Sequence, residues 1–383
     1  MEKEISRDEV KDAAAKRKRH WVRITRACNN RCLFCLDREN QNGSIFPIET
    51  IVADLKKGLA SGAKRVVLSG GDPTVHPKLC EIIVKAKTLG YDHVQIITNG
   101  RMLAYEKFAK DLRAAGLDEV TLSLHSHIKE DFERMGGIKG SYRQALAGLL
   151  NAQKQGFIVS VDIVINKINY KTLKATLQFY IRLGVSEFDL LYPIPFGDAW
   201  KNRDELFFDP EKAHTYLRDA FSLSKNKNLF IWTNRLPAQY LEGFEDLIQN
   251  PIKIHDEVRG MASGFGCLVE SGKPMSCKGE RCRYCFMNGF CADLDELIAK
   301  QELHGRVTPH CLGSASKRWK PTPVFRMDTD FTLEAFTDFH IQNRYFVKSL
   351  RCKGCSLMKE CEGAWIEDVR KKGFSILTPE TGI

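Results

Sequence analysis

At 383 residues, with thirteen cysteines and a net charge of +10, the chain suits a barrel or doubly wound domain plus a smaller second one, because single cores stop growing at roughly 250 to 300 residues. The charge is scattered among acids, and the one dense basic run, "KRKRH" from Lys16 to His20, reads as a solvated helix end, so a nucleic-acid partner is not expected. The charged N-terminus lacks the apolar core of a signal peptide and no stretch reaches the ~18 apolar residues of a membrane span; a cytoplasmic protein without a membrane partner is expected, where close-set cysteines speak for metal ligation over disulfides.

A short helix is expected over residues 1–20. Apolar strand-like runs then alternate with amphipathic helical ones, the pattern of a parallel sheet with crossover helices. The strands are "WVRIT" from Trp21, "RVVLS" from Arg65, "HVQIIT" from His93, "EVTLSL" from Glu119, "IVSVDIVI" from Ile158 and "EFDLLY" from Glu187. Each intervening helix runs into a glycine, the expected αL stop. Six such repeats predict an α/β fold, a partial (β/α)6 TIM-type barrel, since a complete eight-fold barrel takes about 250 residues. A Rossmann-type open sheet is the rival, although no G-x-G-x-x-G follows the first strand.

From Pro193 the rhythm breaks into "YPIPFGDAWKNRDELFFDP", a loop over the strand ends, after which "AHTYLRDAFSLSK" and "LFIWTN" add a further helix and strand. The barrel is therefore placed at residues 21–235 and a cysteine-rich second domain at 236–383, with little helical periodicity expected from Gly266 onward.

Directly after the first strand comes "CNNRCLFC", three cysteines at C-x3-C-x2-C: Cys28, Cys32 and Cys35. An iron-sulfur cube takes four thiolates, so three leave one iron free for an external ligand. Three of the four ligands of a zinc site are the structural alternative. The position favours chemistry, because loops after strand C-termini carry the active site of a parallel barrel.

Cys28, Cys32, Phe34 and Cys35 match C-x3-C-x-aromatic-C, and "GGDP" at Gly70, Gly71, Asp72 and Pro73 follows the second strand. In these two motifs the chain resembles the radical S-adenosylmethionine (SAM) superfamily, over about Trp21 to Tyr192. The second motif departs from Gly-Gly-Glu-Pro by an aspartate, which retains a carboxylate for the SAM amino group. The resemblance implies a [4Fe-4S] cluster on the triad, SAM on its open iron, and reductive cleavage to a 5'-deoxyadenosyl radical that abstracts a substrate hydrogen. It also implies a reducing protein such as flavodoxin or ferredoxin as partner. Weaker SAM contacts carried over the same way are Asn99 after strand three, Ser123 and His125 after strand four, and Asn166 after strand five. For His125 a hydrogen-bonded rim position is an equal reading; Asp162, within an apolar strand, reads first as a structural hydrogen-bonding residue, and it and Tyr192 are further residues that could face substrate. Cys80 reads as a small buried hydrophobe in a helix.

Nine cysteines follow: Cys267, Cys277, Cys282, Cys285, Cys291, Cys311, Cys352, Cys355 and Cys361, with C-x2-C-x5-C occurring twice. The region resembles the SPASM and twitch extensions of radical SAM enzymes, which carry two or one auxiliary [4Fe-4S] clusters, although Trp365 stands where the SPASM pattern expects another cysteine. Eight thiols would saturate two cubes and leave one over; which thiols join which cluster stays open, and zinc is the alternative. The resemblance implies modification of a peptide or protein, as in peptide or sulfatase maturation. Only about twenty residues precede the barrel, too few for a peptide-recognition domain, so a small metabolite of cofactor or haem-type biosynthesis is the second reading. A non-catalytic electron carrier is the reading from another class.

Overall fold

The computed structural model describes residues 18–307, Cys311 and residues 322–380. Most of the expected N-terminal helix lies outside them. The chain divides between Asn234 and Arg235 into two compact units.

In the first unit seven strands form one parallel sheet in sequence order: β1 (Arg19–Thr25), β2 (Arg65–Gly70), β3 (His93–Thr98), β4 (Glu119–Ser123), β5 (Ile158–Val164), β6 (Glu187–Leu191) and β7 (Phe230–Asn234). Their crossovers are α1 (Ile48–Ala60), α2 (Leu79–Leu89), α3 (Glu106–Ala114), α4 (Lys129–Gly136), α5 (Ser141–Lys154), α6 (Leu173–Arg182) and α7 (His214–Phe221). The two edge strands do not pair with each other, so the barrel is partial. Strands covered on both faces read as continuous apolar runs, and Val66, Val67 and Leu68 are all fully buried. Helices α1 to α3, α5 and α6 each run into a glycine with positive φ, as expected.

Three local expectations change. Arg19 and His20 of the basic run open β1 and do not end a helix. The segment after β6 folds into helical turns at Gly197–Lys201 and Arg203–Leu206. Cys80 is only half-buried.

The second unit holds more helix than its composition suggested: α8 (Ile254–Gly260), α9 (Ala262–Ser271), α10 (Asn288–Lys300), α11 (Leu333–Asn343) and α12 (Ile366–Lys372), with short hairpin pairs β8 (Glu302–His304) with β9 (Val324–Arg326), and β10 (Phe346–Val347) with β11 (Ala364–Trp365). Its core is aromatic: Phe290 meets Phe265, Phe336 and His340 edge-on at centroid distances of 5.2 to 5.4 Å. Glycines and charged residues dilute the helical periodicity of this region, and the core is assembled from residues far apart in sequence. Trp365 is part of that fabric, donating its indole N–H to Ile341 O at 2.8 Å.

Candidate active site and thiol quartets

The register of β1 on β2 slips between Arg23 and Thr25, where the strand opens into the cysteine loop. Beyond the slip the backbones stay paired: Gly71 N–H donates to Thr25 O at 3.0 Å and Asp72 N–H to Ala27 O at 2.8 Å. A Cβ on Gly70 or Gly71 would lie 2.1 Å from Thr25 O or Ala27 O, and Gly70 has φ +139°. Only glycines permit this approach. The loop is pinned on its other side by Arg31 N–H on Gly136 O and Leu33 N–H on Met135 O, both at 2.9 Å, and by Asp198 N–H on Cys35 O at 2.9 Å.

Cys28, Cys32 and Cys35 share this pocket. Burial, then the Asp72 carboxylate, pushes the Cys28 thiol up to about 11. Burial and then its two fellow thiols push Cys32 up to about 12, and burial raises Cys35. Without a cation such thiols keep their protons; with one, they become a charge-matched ligand set. Among the described residues no three His, Cys, Asp or Glu side chains converge on a point that would hold a single ion. A cube places each thiolate on a different iron, so three neighbouring thiols with a backbone shoulder beside them fit a cube with one iron open.

The Asp72 side chain is held within the fold. It is 1% exposed, accepts from Thr74 N–H at 2.9 Å, Thr98 Oγ1 at 2.9 Å and Asn99 N–H at 2.8 Å, and also takes the Thr74 hydroxyl. The aspartate is thus a strut joining the end of β2 to the end of β3, and the backbone of Gly70 and Gly71 is what faces the loop. Pro73 follows as the first residue of a helical turn capped by Asp72. Asn99 lies beside the triad loop, its amide donating to Asn29 Oδ1 at 2.6 Å.

Ser123 ends β4 half-buried. His125 is buried, its Nδ1 accepts from Val164 N–H at 3.1 Å, and its ring stands edge-on to half-buried Phe34 at 4.6 Å. Burial alone drags its pKa down to about 3, so it is a neutral wall of the pocket. Asn166 is fully buried, its Nδ2 donating to Val164 O at 3.0 Å and to Met135 Sδ while its Oδ1 accepts from Ile168 N–H. Tyr192 is buried with its hydroxyl on Phe208 O. The cysteine spacing gave no sign of Gln41, Arg38, Asp198 or Arg101, although all four line or brace the loop; Asn30 stood inside the motif unmarked.

In the second unit the thiols sort into two quartets. Cys277, Cys282, Cys285 and Cys291 act on one another: after burial, the neighbouring thiols help push Cys285 up to about 11 and Cys291 up to about 12. Cys352 feels Cys311, Cys355 and Cys361, and Cys311 feels Cys355 and Cys361. Cys267 is exposed on α9 and is not among the thiols that act on either quartet, a place that suits the one thiol two cubes would leave over. Phe286, between Cys285 and α10, and Phe290 on α10 pack into the aromatic core, as packing residues should.

A model of the radical SAM superfamily matches residues 22–180. Over 190 residues the chain is 32% identical to a Saccharolobus solfataricus protein named "Probable GTP 3',8-cyclase", a match covering 48% of this chain and 61% of that one. A Metallosphaera sedula protein of the same name is 33% identical over 183 residues, covering 46% and 56%. The chain therefore spans only about 56 to 61% of the length of these relatives. Among solved structures, SuiB of Streptococcus suis bound to S-adenosylmethionine overlaps 95% of this chain and 76% of its own at 14% identity and TM-score 0.48. anSMEcpe with bound AdoMet and Cp18Cys peptide overlaps 94% and 92% at 16% identity and the same score, 0.48. Overlaps this loose bear on neither substrate nor reaction. Over residues 22–180 the chain is thus similar to the radical SAM superfamily, whose members bind a [4Fe-4S] cluster and S-adenosylmethionine.

Proposed function

We propose that the chain is a radical SAM enzyme in which Cys28, Cys32 and Cys35 hold the SAM-binding cluster. The observation that carries this is the grouping of three thiols at the C-terminal end of β1, against the Gly70–Gly71 shoulder of β2. When bound, cluster and SAM supply one-electron cleavage to a 5'-deoxyadenosyl radical that takes a hydrogen from substrate. The residues do the rest. Gly70 and Gly71 bring backbone to the ligand, Asp72 fixes their loop to β3 through Thr98 and Asn99, and Phe34 with neutral His125 lines the pocket without a second charge.

The quartets Cys277, Cys282, Cys285, Cys291 and Cys311, Cys352, Cys355, Cys361 are read as two auxiliary [4Fe-4S] sites. Four thiols each leave no iron open, so they relay electrons or brace the fold and do not ligate substrate. Zinc on four thiols is the alternative occupant of each quartet, and metal analysis of the purified protein separates the two.

For substrate, the relatives named "Probable GTP 3',8-cyclase" support a small metabolite of cofactor biosynthesis, the second of the two sequence-based readings, over a peptide. The two quartets favour peptide modification as the competing reading, through the resemblance of the C-terminal region to SPASM extensions. Anaerobically reconstituted protein should make 5'-deoxyadenosine from SAM with flavodoxin or dithionite as reductant, and should consume GTP or a nucleotide relative in that reaction. Deoxyadenosine formation with GTP untouched would hand the substrate to the peptide reading; no deoxyadenosine at all would leave an electron carrier.

A further inference from the structure

Two side-chain amides beside the triad are oriented by the same device. Gln41 points Nε2 at the Cys35 sulfur at 3.2 Å, while its Oε1 accepts from Arg38 Nη1 at 2.7 Å. Asn30 turns Nδ2 toward the Cys32 sulfur at 3.9 Å, while its Oδ1 accepts from Arg101 Nη1 at 3.1 Å. The backbone N–H of Asn30 also faces the Cys28 sulfur, at 3.4 Å.

An amide can offer either end to a neighbour. A guanidinium has donors only, so it takes the amide oxygen and leaves the N–H end for the sulfur. Both guanidiniums are themselves anchored: Arg38 donates to Asp198 Oδ2 at 2.6 Å, and Arg101 to Gln144 Oε1 at 2.7 Å and to the Asn29 carbonyl. An anchored arginine, an oriented amide and a thiol sulfur thus occur twice at one loop, with Arg38 supplied by the loop itself and Arg101 by the segment after β3. Filling space would not require the amide ends to be chosen.

We propose that Gln41 and Asn30 set the reduction potential of the cluster held by Cys28, Cys32 and Cys35, an inference that rests on the radical SAM reading above. Hydrogen bonds to the sulfurs are among the controls on such potentials, and they favour the reduced form because it carries one more negative charge on iron and sulfur. Both amides therefore raise the potential of the one-electron couple and ease delivery of the electron from the reductase. The bond at 3.2 Å is stronger than the one at 3.9 Å, so Gln41 has the larger share. Neither amide contacts a reacting atom; they are positioning residues acting through the thiolates, and Arg38 and Arg101 act through them.

The test is a potentiometric titration of the reconstituted full-length protein, following the paramagnetic signal that responds to SAM, with iron counted per chain. The midpoint should move to more negative values in Asn30→Ala, further in Gln41→Leu and furthest in the double variant, with iron per chain unchanged. Gln41→Glu keeps the Arg38 contact but offers the sulfur an acceptor, and should move the midpoint at least as far as Gln41→Leu. A wild-type midpoint in both Gln41 variants at full iron content overturns the proposal. Loss of iron from all of them overturns it as well, since the amides would then be struts of the loop. A wild-type protein that binds iron but shows no SAM-responsive signal would bring down the radical SAM reading instead.

Discussion

The thiols of the first unit and those of the second are the same functional group used in two ways. In the first, three sulfurs sit on a loop pinned by glycine shoulders, with side-chain amides aimed at two of them. In the second, the sulfurs come in fours, one group with Cys285 and Cys291 against the aromatic core, and Cys267 stays at the surface. On the proposed reading the number of thiols decides what a site can do: three leave one iron of a cube open for chemistry, four close it.

The largest effect should come from the triad. Cys28→Ala, Cys32→Ala or Cys35→Ala should abolish 5'-deoxyadenosine formation, measured by chromatography, because each leaves the first cube incompletely held. Full deoxyadenosine yield in any of them would erase the distinction between the two regions. Cys352→Ala attacks the other side: iron should fall from about twelve to about eight per chain, with some SAM cleavage retained and substrate turnover lost. Equal turnover with and without that thiolate would leave the second quartet no part in the reaction.

Asp72→Ala should weaken the shoulder without touching a sulfur. It strands the Thr98 hydroxyl and the Asn99 N–H in a buried place, at a cost of about 3 kcal/mol in unfolding free energy by denaturant titration. Stability equal to wild type would return Asp72 to the role of a SAM ligand.

His125 gives a smaller, pH-dependent effect. Its folded pKa of about 3 lies below the unfolded value of about 6.5, so the unfolded chain binds a proton that the folded chain refuses. Stability should fall as pH drops from about 6.5 toward 3, and His125→Gln should remove that part of the slope; an unchanged slope would mean the imidazole is reached by water. Cys267→Ser should change nothing, with iron content at the wild-type level. A loss of about four irons there would place Cys267 inside a quartet.

Much of the first unit is written in local spacing. Val66 to Leu68 are apolar because a parallel strand is covered on both faces, the glycines after the helices adopt positive φ, and Cys28, Cys32 and Cys35 lie within one loop, so neighbours in sequence are neighbours in space. The second unit was harder to read because its helices carry little periodicity and its core joins Phe265 to Phe336.

By itself the sequence determined the alternation of strand and helix, the triad and the two C-x2-C-x5-C runs, all of which depend on covalent proximity. Only the tertiary structure decided that Cys311 joins Cys352, Cys355 and Cys361 while Cys277 completes the other quartet, that Asp72 is a strut and Asn166 a loop clamp, and that Asp198 steadies Arg38 across 160 residues of chain. Those outcomes depend on which polar groups end up buried together and must satisfy one another, and that is a property of packing, not of spacing.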